Sequence, residues 1–354
     1  MKITKKDTVL VTGANGYVAS WLVKKLIEEG YTVHATVRDK NDKSKVDVLK
    51  ALVKEETNRL KIFEADLLVK NSFNMAMEGC SVVFHTASPF KLDIKNPKKE
   101  LINPALLGTE NVLNSVNNSD SVKKVVLTSS VAAMYSDASE CLQYENNEIT
   151  ESVWNNTASL DYQPYSFSKT IAEKKAWEIN SKQEKWDLIV INPSLVLGPF
   201  LNGQNETSES FKILKQIGDG TFKKWIPKMG IGLVDVRDVA NAHFLAAFSK
   251  NAKGRYITNA HNTNLLDISK ELYSIYGKSY SIPNKPAPAW LIWLIGPLLN
   301  KALTRKYISN NLNHQLKANN KKIKKELGIE FRSMNETLKD AFQSMIDSGA
   351  LKAK

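Results

Sequence analysis

Thr8-Val9-Leu10-Val11-Thr12-Gly13-Ala14-Asn15-Gly16-Tyr17-Val18-Ala19 is the stretch whose reading decides the fold. Thr8 to Val11 is a short apolar run of the kind that makes a buried strand. Tyr17 to Glu29 repeats its apolar residues at helical spacing, and Gly30 closes it. The chain must turn sharply between the two and expose its backbone, so Gly13 and Gly16 lack side chains. Ala19 is the third small residue, where helix meets strand. A glycine turn that leaves a strand and opens a helix presents backbone N–H groups at the positive helix end, which suits a pyrophosphate. Gly13, Asn15, Gly16, Tyr17 and Val18 are therefore expected to hold the phosphates of a dinucleotide. The spacing is G-x-x-G-x-x-A instead of G-x-G-x-x-G, and the strand–helix context carries the reading.

The same alternation continues outward. Thr32–Val37, Leu60–Phe63, Ser81–His85, Lys124–Thr128 and Asp187–Asn192 read as strands. Lys43–Val53, Pro97–Asn117 and Tyr165–Asn180 read as helices between them. The pattern predicts an α/β fold, a doubly wound parallel sheet with helices on both faces, and ligands beyond the carboxyl ends of its strands. Ser136–Pro164 interrupts it with a polar, Asn-rich excursion, and long excursions in compact domains are often functional. After Pro193 the alternation fades. We expect a dinucleotide-binding domain over residues 1–193, with a segment near 234–260 returning to it. Residues 194–354 are expected to form mainly a smaller C-terminal substrate-binding lobe.

The 354 residues are 42% hydrophobic and 24% charged, as in an ordinary globular protein. The net charge of +12 raises nucleic acid as a partner. Lys and Arg are nevertheless spread along the chain, without the clustered, aromatic-interleaved tract such a surface needs. Two cysteines and five scattered histidines give no metal-ligand spacing, so no metal is expected. The N-terminal apolar run is too short for a signal peptide. The longest one, Ala287–Leu299, falls short of the roughly 20 residues of a spanning helix. A cytoplasmic monomer or homodimer without a membrane span is the expectation.

The end of the second strand reads out the nucleotide. An NAD enzyme places Asp or Glu there to accept from the ribose 2′-hydroxyl. Here the residues are Ala35-Thr36-Val37-Arg38, with Lys45 following. A guanidinium can grip a 2′-phosphate with two hydrogen bonds and an ammonium can add charge, so NADPH/NADP is expected.

Tyr165-Ser166-Phe167-Ser168-Lys169 opens a helix, and residues four apart share a helix face. A carbonyl that accepts hydride becomes an alkoxide and needs a proton. Free tyrosine, with a pKa of about 10, is a poor partner at neutral pH. A neighbouring cation is expected to lower that pKa. Ser129 and Ser130 end the strand Lys124–Thr128, where a hydroxyl can polarise the substrate oxygen. Phe90, Tyr135 and the region after Pro199 are expected to wall a carbonyl substrate.

Together these residues resemble the extended short-chain dehydrogenase/reductases, and within them the dihydroflavonol reductase, cinnamoyl-CoA reductase and microbial aldehyde reductase group. The segments that carry the resemblance are VTGANGYVAS, HATVRD, FEADL, VVFHTASP, GTENVL, KKVVLTSSVAA, YSFSKTIAEKKAW, INPSLVLGP and VDVRDVANAH, from Val11 to His243. The C-terminal third matches loosely. The resemblance implies a Rossmann-type fold and a triad of Ser130, Tyr165 and Lys169, with Ser129 as the alternative serine. It implies a fourth polar participant at Asn111. Asp66 and Leu67 would flank the adenine, Thr86, Ala87 and Ser88 would lie along the cofactor, and Pro193 to Val196 would line the nicotinamide side. Where plant flavonoid reductases carry Asn or Asp after the serine, this chain has Val131-Ala132-Ala133-Met134-Tyr135, which favours a general aldehyde or ketone over a flavonoid.

Three rival readings remain. An NAD-dependent nucleotide-sugar epimerase or dehydratase shares the Tyr–Lys pair, but Arg38 replaces the expected acid. A non-catalytic NADPH-binding sensor would commonly lose the Tyr or the Lys, and both are present. A membrane-associated hydroxysteroid dehydrogenase rests on the Trp-containing run. Among single residues, His85 is expected to be a packed strand-end histidine, Cys141 an inert thiol, and Trp290 and Trp293 part of a helix packed into the smaller lobe.

Overall fold

The computed structural model describes residues 4–53, 58–88, 96–201, 209–222, 224–300 and 302–354. Among the described residues the strands are β1 (Thr8–Val11), β2 (Thr32–Val37), β3 (Leu60–Glu64), β4 (Cys80–His85), β5 (Lys124–Thr128), β6 (Asp187–Pro193), β7 (Leu195–Leu197), β8 (Trp225–Ile226), β9 (Gly230–Asp235), β10 (Gly254–Thr258), β11 (His261–Asn264) and β12 (Lys285–Pro286). Its helices are α1 (Tyr17–Glu28), α2 (Lys43–Lys50), α3 (Asn74–Met77), α4 (Asn103–Asn117), α5 (Pro164–Asn180), α6 (Glu209–Gly218), α7 (Val236–Phe248), α8 (Leu265–Tyr276), α9 (Ala289–Leu299), α10 (Arg305–Asn311), α11 (Lys321–Leu327) and α12 (Met334–Asp347).

Seven parallel strands form the main sheet in the order β10-β6-β5-β4-β1-β2-β3. The inner strands are buried on both faces, which is why β1 and β4 show no alternation of buried and exposed residues. In β1, Val9 and Val11 join the core under α1 and α7, while Leu10 joins the opposite core under α4 and α5. The order reverses between β1 and β4. A reversal of this kind opens a crevice beyond the strand ends, and there a doubly wound sheet binds its ligand. The α/β, Rossmann-type fold expected from the alternation is the fold observed.

The smaller lobe has its own core, built from α6, α8 and α12 against β7, β9 and β11, with Phe211, Leu214, Leu272 and Phe342 at its centre. β9 pairs with β7 in parallel and with β11 antiparallel. α7 follows directly and packs on α1, so the chain re-enters the large sheet through β10.

Four elements differ from expectation. α2 stops at Lys50, three residues early. The long helix opens with a π turn, Lys98–Ile102, ahead of α4; Pro104 offers no N–H and its ring crowds the preceding turn, so the ladder widens there. The polar excursion holds two 3-10 turns, Ala138–Gln143 and Glu145–Asn147, and is tied to the C-terminal segment by Ile149 N–H to the Lys317 carbonyl and Asn319 N–H to the Ile149 carbonyl. α9 forms, but Gly296 is its one buried residue and Trp290 and Trp293 face outward, so the packed-helix expectation does not hold.

Candidate active site

Gly13 sits at φ +60°, and a Cβ there would lie 3.0 Å from the Ala87 Cβ and 3.2 Å from its Cα. The turn after β1 and the end of β4 therefore approach as backbone on backbone, across the point where strand order reverses. Thr12 fastens them. Its hydroxyl accepts from the N–H groups of Thr86 (3.1 Å) and Ala87 (3.0 Å) and pairs with His85 Nδ1 at 3.1 Å. The Thr86 hydroxyl in turn donates to the Thr12 carbonyl. Burial pulls His85 down to about 3, so it is neutral and structural, the bland role expected of it.

Helix α1 begins at Gly16 with no capping side chain, which leaves its positive end open toward the crevice. Val18 lies in that first turn. The Tyr17 phenol is used elsewhere, donating to the Gly198 carbonyl at 2.8 Å, and Trp21 donates to Pro199 at 2.9 Å. These two bonds tie the loop after β7 to the glycine turn.

At the far end of the crevice Arg38 leaves β2 with a side chain 82% exposed, its Nε 3.6 Å from Asp66. Asp66 and Leu67 follow β3. Lys45 is turned back on its own helix, 3.0 Å from the Asp42 carboxylate. Asp39, the nearest acid to the strand end, accepts from the Asn41 N–H in a local turn.

Strand β5 delivers the serines, and α5 delivers Tyr165 and Lys169. α5 starts sharply because Pro164 occupies its first turn and Gln163 before it takes a left-handed conformation, φ 56°. The Ser130 hydroxyl is close enough to the Tyr165 phenol to pull its pKa down. Ser130 Oγ also accepts from the Ala132 N–H at 3.1 Å and reaches the Pro193 carbonyl at 3.4 Å. Val196 lies just beyond, in β7. Ser129 faces the other way and donates to Glu173 Oε2 at 2.5 Å. Lys169 donates to the Ser88 hydroxyl at 2.9 Å, with its Nζ 5.8 Å from the centre of the Tyr165 ring. The turn after β1 thus meets Ala87, next to Ser88, and Ser88 meets Lys169, which lies beside Tyr165.

The electrostatics differ from the expectation. Burial pushes the Tyr165 phenol up to about 12, opposed by the Ser130 hydroxyl. Burial also brings Lys169 down to about 8, opposed by Glu173. For the phenol, burial outweighs the lowering that a neighbouring cation was expected to bring; Lys169 donates to Ser88, its Nζ 5.8 Å from the ring centre.

Two other expected residues, Asn111 and Tyr135, have further contacts of their own. Asn111 donates to the Leu67 carbonyl at 2.8 Å and anchors the loop after β3. The Tyr135 ring packs on the core of the excursion; its phenol lies within electrostatic reach of Tyr307 and Cys141, and burial pushes its pKa well up. Phe90 lies outside the described residues. Cys141 is buried with its thiol pushed up, the inert state expected. Among the described residues, no group of three or more His, Cys, Asp or Glu is placed to hold a metal ion, and no helix is long and apolar enough to cross a membrane.

Two residues escaped the sequence reading. Thr12, the hub between β1 and β4, carries no signal apart from its place before Gly13. Glu173 carries one: it lies four residues after Lys169 and eight after Tyr165, on the same face of α5. Its carboxylate accepts from Ser129, from Asn192 Nδ2 (2.8 Å) and from Arg255 Nε (2.6 Å).

A glycine turn at a strand-order reversal, with serine, tyrosine and lysine at neighbouring strand ends, defines a Rossmann-type oxidoreductase architecture. The family model "NAD dependent epimerase/dehydratase family" matches residues 9–259. Cinnamoyl-CoA reductase CAD2 of Medicago truncatula is 43% identical over 289 residues, 79% of this chain and 84% of that protein. Dihydroflavonol 4-reductase of Gerbera hybrida is 36% identical over 278 residues, 78% of this chain and 75% of that protein. Among solved structures, yeast methylglyoxal/isovaleraldehyde reductase Gre2 complexed with NADPH superposes with a TM-score of 0.77 at 27% identity, covering 97% of this chain and 100% of that one. The chain belongs to the NAD dependent epimerase/dehydratase family, as an extended short-chain dehydrogenase/reductase whose relatives include cinnamoyl-CoA and dihydroflavonol reductases.

Proposed function

We propose that this protein reduces an aldehyde or ketone to an alcohol with NADPH, using Tyr165 as the proton donor. One observation carries the reading: Tyr165 in the first turn of α5 is approached by the Ser130 hydroxyl from the end of β5 and by Lys169, whose Nζ is 5.8 Å from the ring centre. The residues fit the cofactor. The Cβ-free approach at Gly13 admits a pyrophosphate, the uncapped α1 end favours its charge, and exposed Arg38 replaces the acid that would select an NAD ribose. Bound there, NADPH supplies the hydride.

Ser130 and Tyr165 would hydrogen-bond the substrate oxygen together. A phenol held near 12 keeps its proton at neutral pH, which is what a resting acid requires. When the oxygen gains negative charge, Tyr165 transfers its proton there and becomes a phenolate. Lys169, protonated below about 8, faces that phenolate across the pocket and stabilises it. Cinnamoyl-CoA, dihydroflavonols and methylglyoxal, the compounds in the relatives' names, each carry a carbonyl, which supports the reaction class.

A screen of NADPH oxidation over aldehydes, ketones, α-keto esters and dihydroflavonols tests the proposal. It predicts turnover with at least one class, a preference for NADPH over NADH, and a smaller preference in Arg38→Ala. Tighter binding of NADH would favour a nucleotide-sugar epimerase or dehydratase instead. NADPH binding without turnover across the panel would make the protein a sensor.

A further inference from the structure

Between Glu271 and Glu326 the chain carries ten lysine and arginine residues and no aspartate or glutamate. The even spread of cations along the sequence hides this, because it is the acids that are missing. Ten of the twelve net positive charges fall in that stretch. In its middle lies α9, eleven residues without a charge and with two tryptophans.

One side of α9 rests on the lobe: Ile292 packs with Leu303, Tyr307 and Ile308. The other side faces solvent. Trp290 is 70% exposed, Leu294 52% and Leu298 86%. These three are spaced four apart and form one stripe along the helix, continued by Leu299. A contiguous patch of large apolar side chains on a protein surface marks an interaction site. At about 1.5 Å per residue α9 is about 16 Å long, roughly half a hydrocarbon core of ~30 Å, so it has the length to lie on a bilayer and not to cross one. Its borders are cationic. The Arg305 guanidinium stacks 4.6 Å from the centre of the Trp293 ring, and Lys285 is exposed just before the helix begins.

We propose that α9 and its basic surroundings dock on the surface of a bilayer containing anionic lipids. Tryptophans would sit at headgroup level, Leu294 and Leu298 would enter the acyl boundary, and Arg305 and Lys285 would meet lipid phosphates and carboxylates. Charge decides against a second copy of the chain. A two-fold contact would bring two copies of this acid-free, cationic segment together. The proposal is independent of the chemistry at Tyr165.

Flotation of the full chain with vesicles of phosphatidylcholine, alone or with phosphatidylserine, tests it. The protein is expected to float with the phosphatidylserine vesicles, to stay behind with phosphatidylcholine alone, and to be released by salt. Each cation removed, in Lys285→Gln and Arg305→Gln, weakens binding by about fivefold. The exposed pair Leu294→Gln/Leu298→Gln abolishes most of it, while the melting temperature stays within a few degrees of the parent. The proposal is overturned by equal binding to both vesicles, by absence of binding, or by a Leu294→Gln/Leu298→Gln protein that floats like the parent. Self-association that the leucine pair removes, without any flotation, would assign the face to a second copy.

Discussion

Ser129 and Ser130 are neighbours in the chain with different tasks, and one buried carboxylate separates them. Glu173 engages Ser129, Asn192 and Arg255 and leaves Ser130 turned to the phenol. It also supplies the charge that holds up the Lys169 ammonium against desolvation. We read Glu173 as a positioning residue, because it acts on the site through Lys169 and Ser129. Its pair with Arg255 is almost wholly buried, with side chains 0% and 7% exposed. Breaking such a pair typically costs about 3–5 kcal/mol. Glu173→Gln is therefore expected to lower the denaturation midpoint markedly. It should also shift the pH profile in a fixed direction. Losing the carboxylate lowers the Lys169 pKa below its present value of about 8, so the fall in rate on the alkaline side begins at lower pH. A destabilised variant with an unmoved alkaline limb would reduce Glu173 to a structural role.

At the scale of elements, the turn between β1 and α1 sets the crevice. Gly13 needs both a positive φ and room against Ala87, and Gly13→Ala satisfies neither. Left-handed backbone costs an ordinary residue roughly 1–2 kcal/mol. Moving Ala87 away from the new methyl also opens the cleft that would grip a pyrophosphate. NADPH affinity, measured by cofactor fluorescence, should fall more than thermal stability does. Affinity equal to the parent would mean that the phosphates bind elsewhere. This turn was legible in the sequence because glycine spacing and the strand–helix switch coincide there. β2 and β5 were legible to the residue, since each is a run rich in β-branched residues whose ends the flanking polar residues mark. The π turn before α4 was not, because a proline inside a helical pattern marks a disturbance without naming its form. The exposure of α9 was not either: an all-apolar helix reads as core whichever side its partner fails to cover.

At the scale of the molecule, two lobes meet where the site lies. The large sheet supplies Gly13, Ser88 and Ser130. The loop after β7, pinned to α1 by Tyr17 and Trp21, brings the smaller lobe to the same crevice. The catalytic candidates were marked by a Tyr and a Lys four apart on a helix and two serines after a strand, and the resemblance to the reductases joined them into a triad. The environment that sets their ionisation could not be read that way, because burial depends on segments far apart in sequence. The walls of a substrate pocket stayed illegible for the same reason, and Tyr135 shows it: the ring expected at the substrate packs on the excursion. The account as a whole turns on whether the buried phenol delivers the proton. Steady-state NADPH oxidation by Tyr165→Phe, with NADPH affinity measured separately, tests that most directly. Turnover should fall by about 10² to 10⁴ with affinity nearly unchanged; turnover equal to the parent's would contradict it.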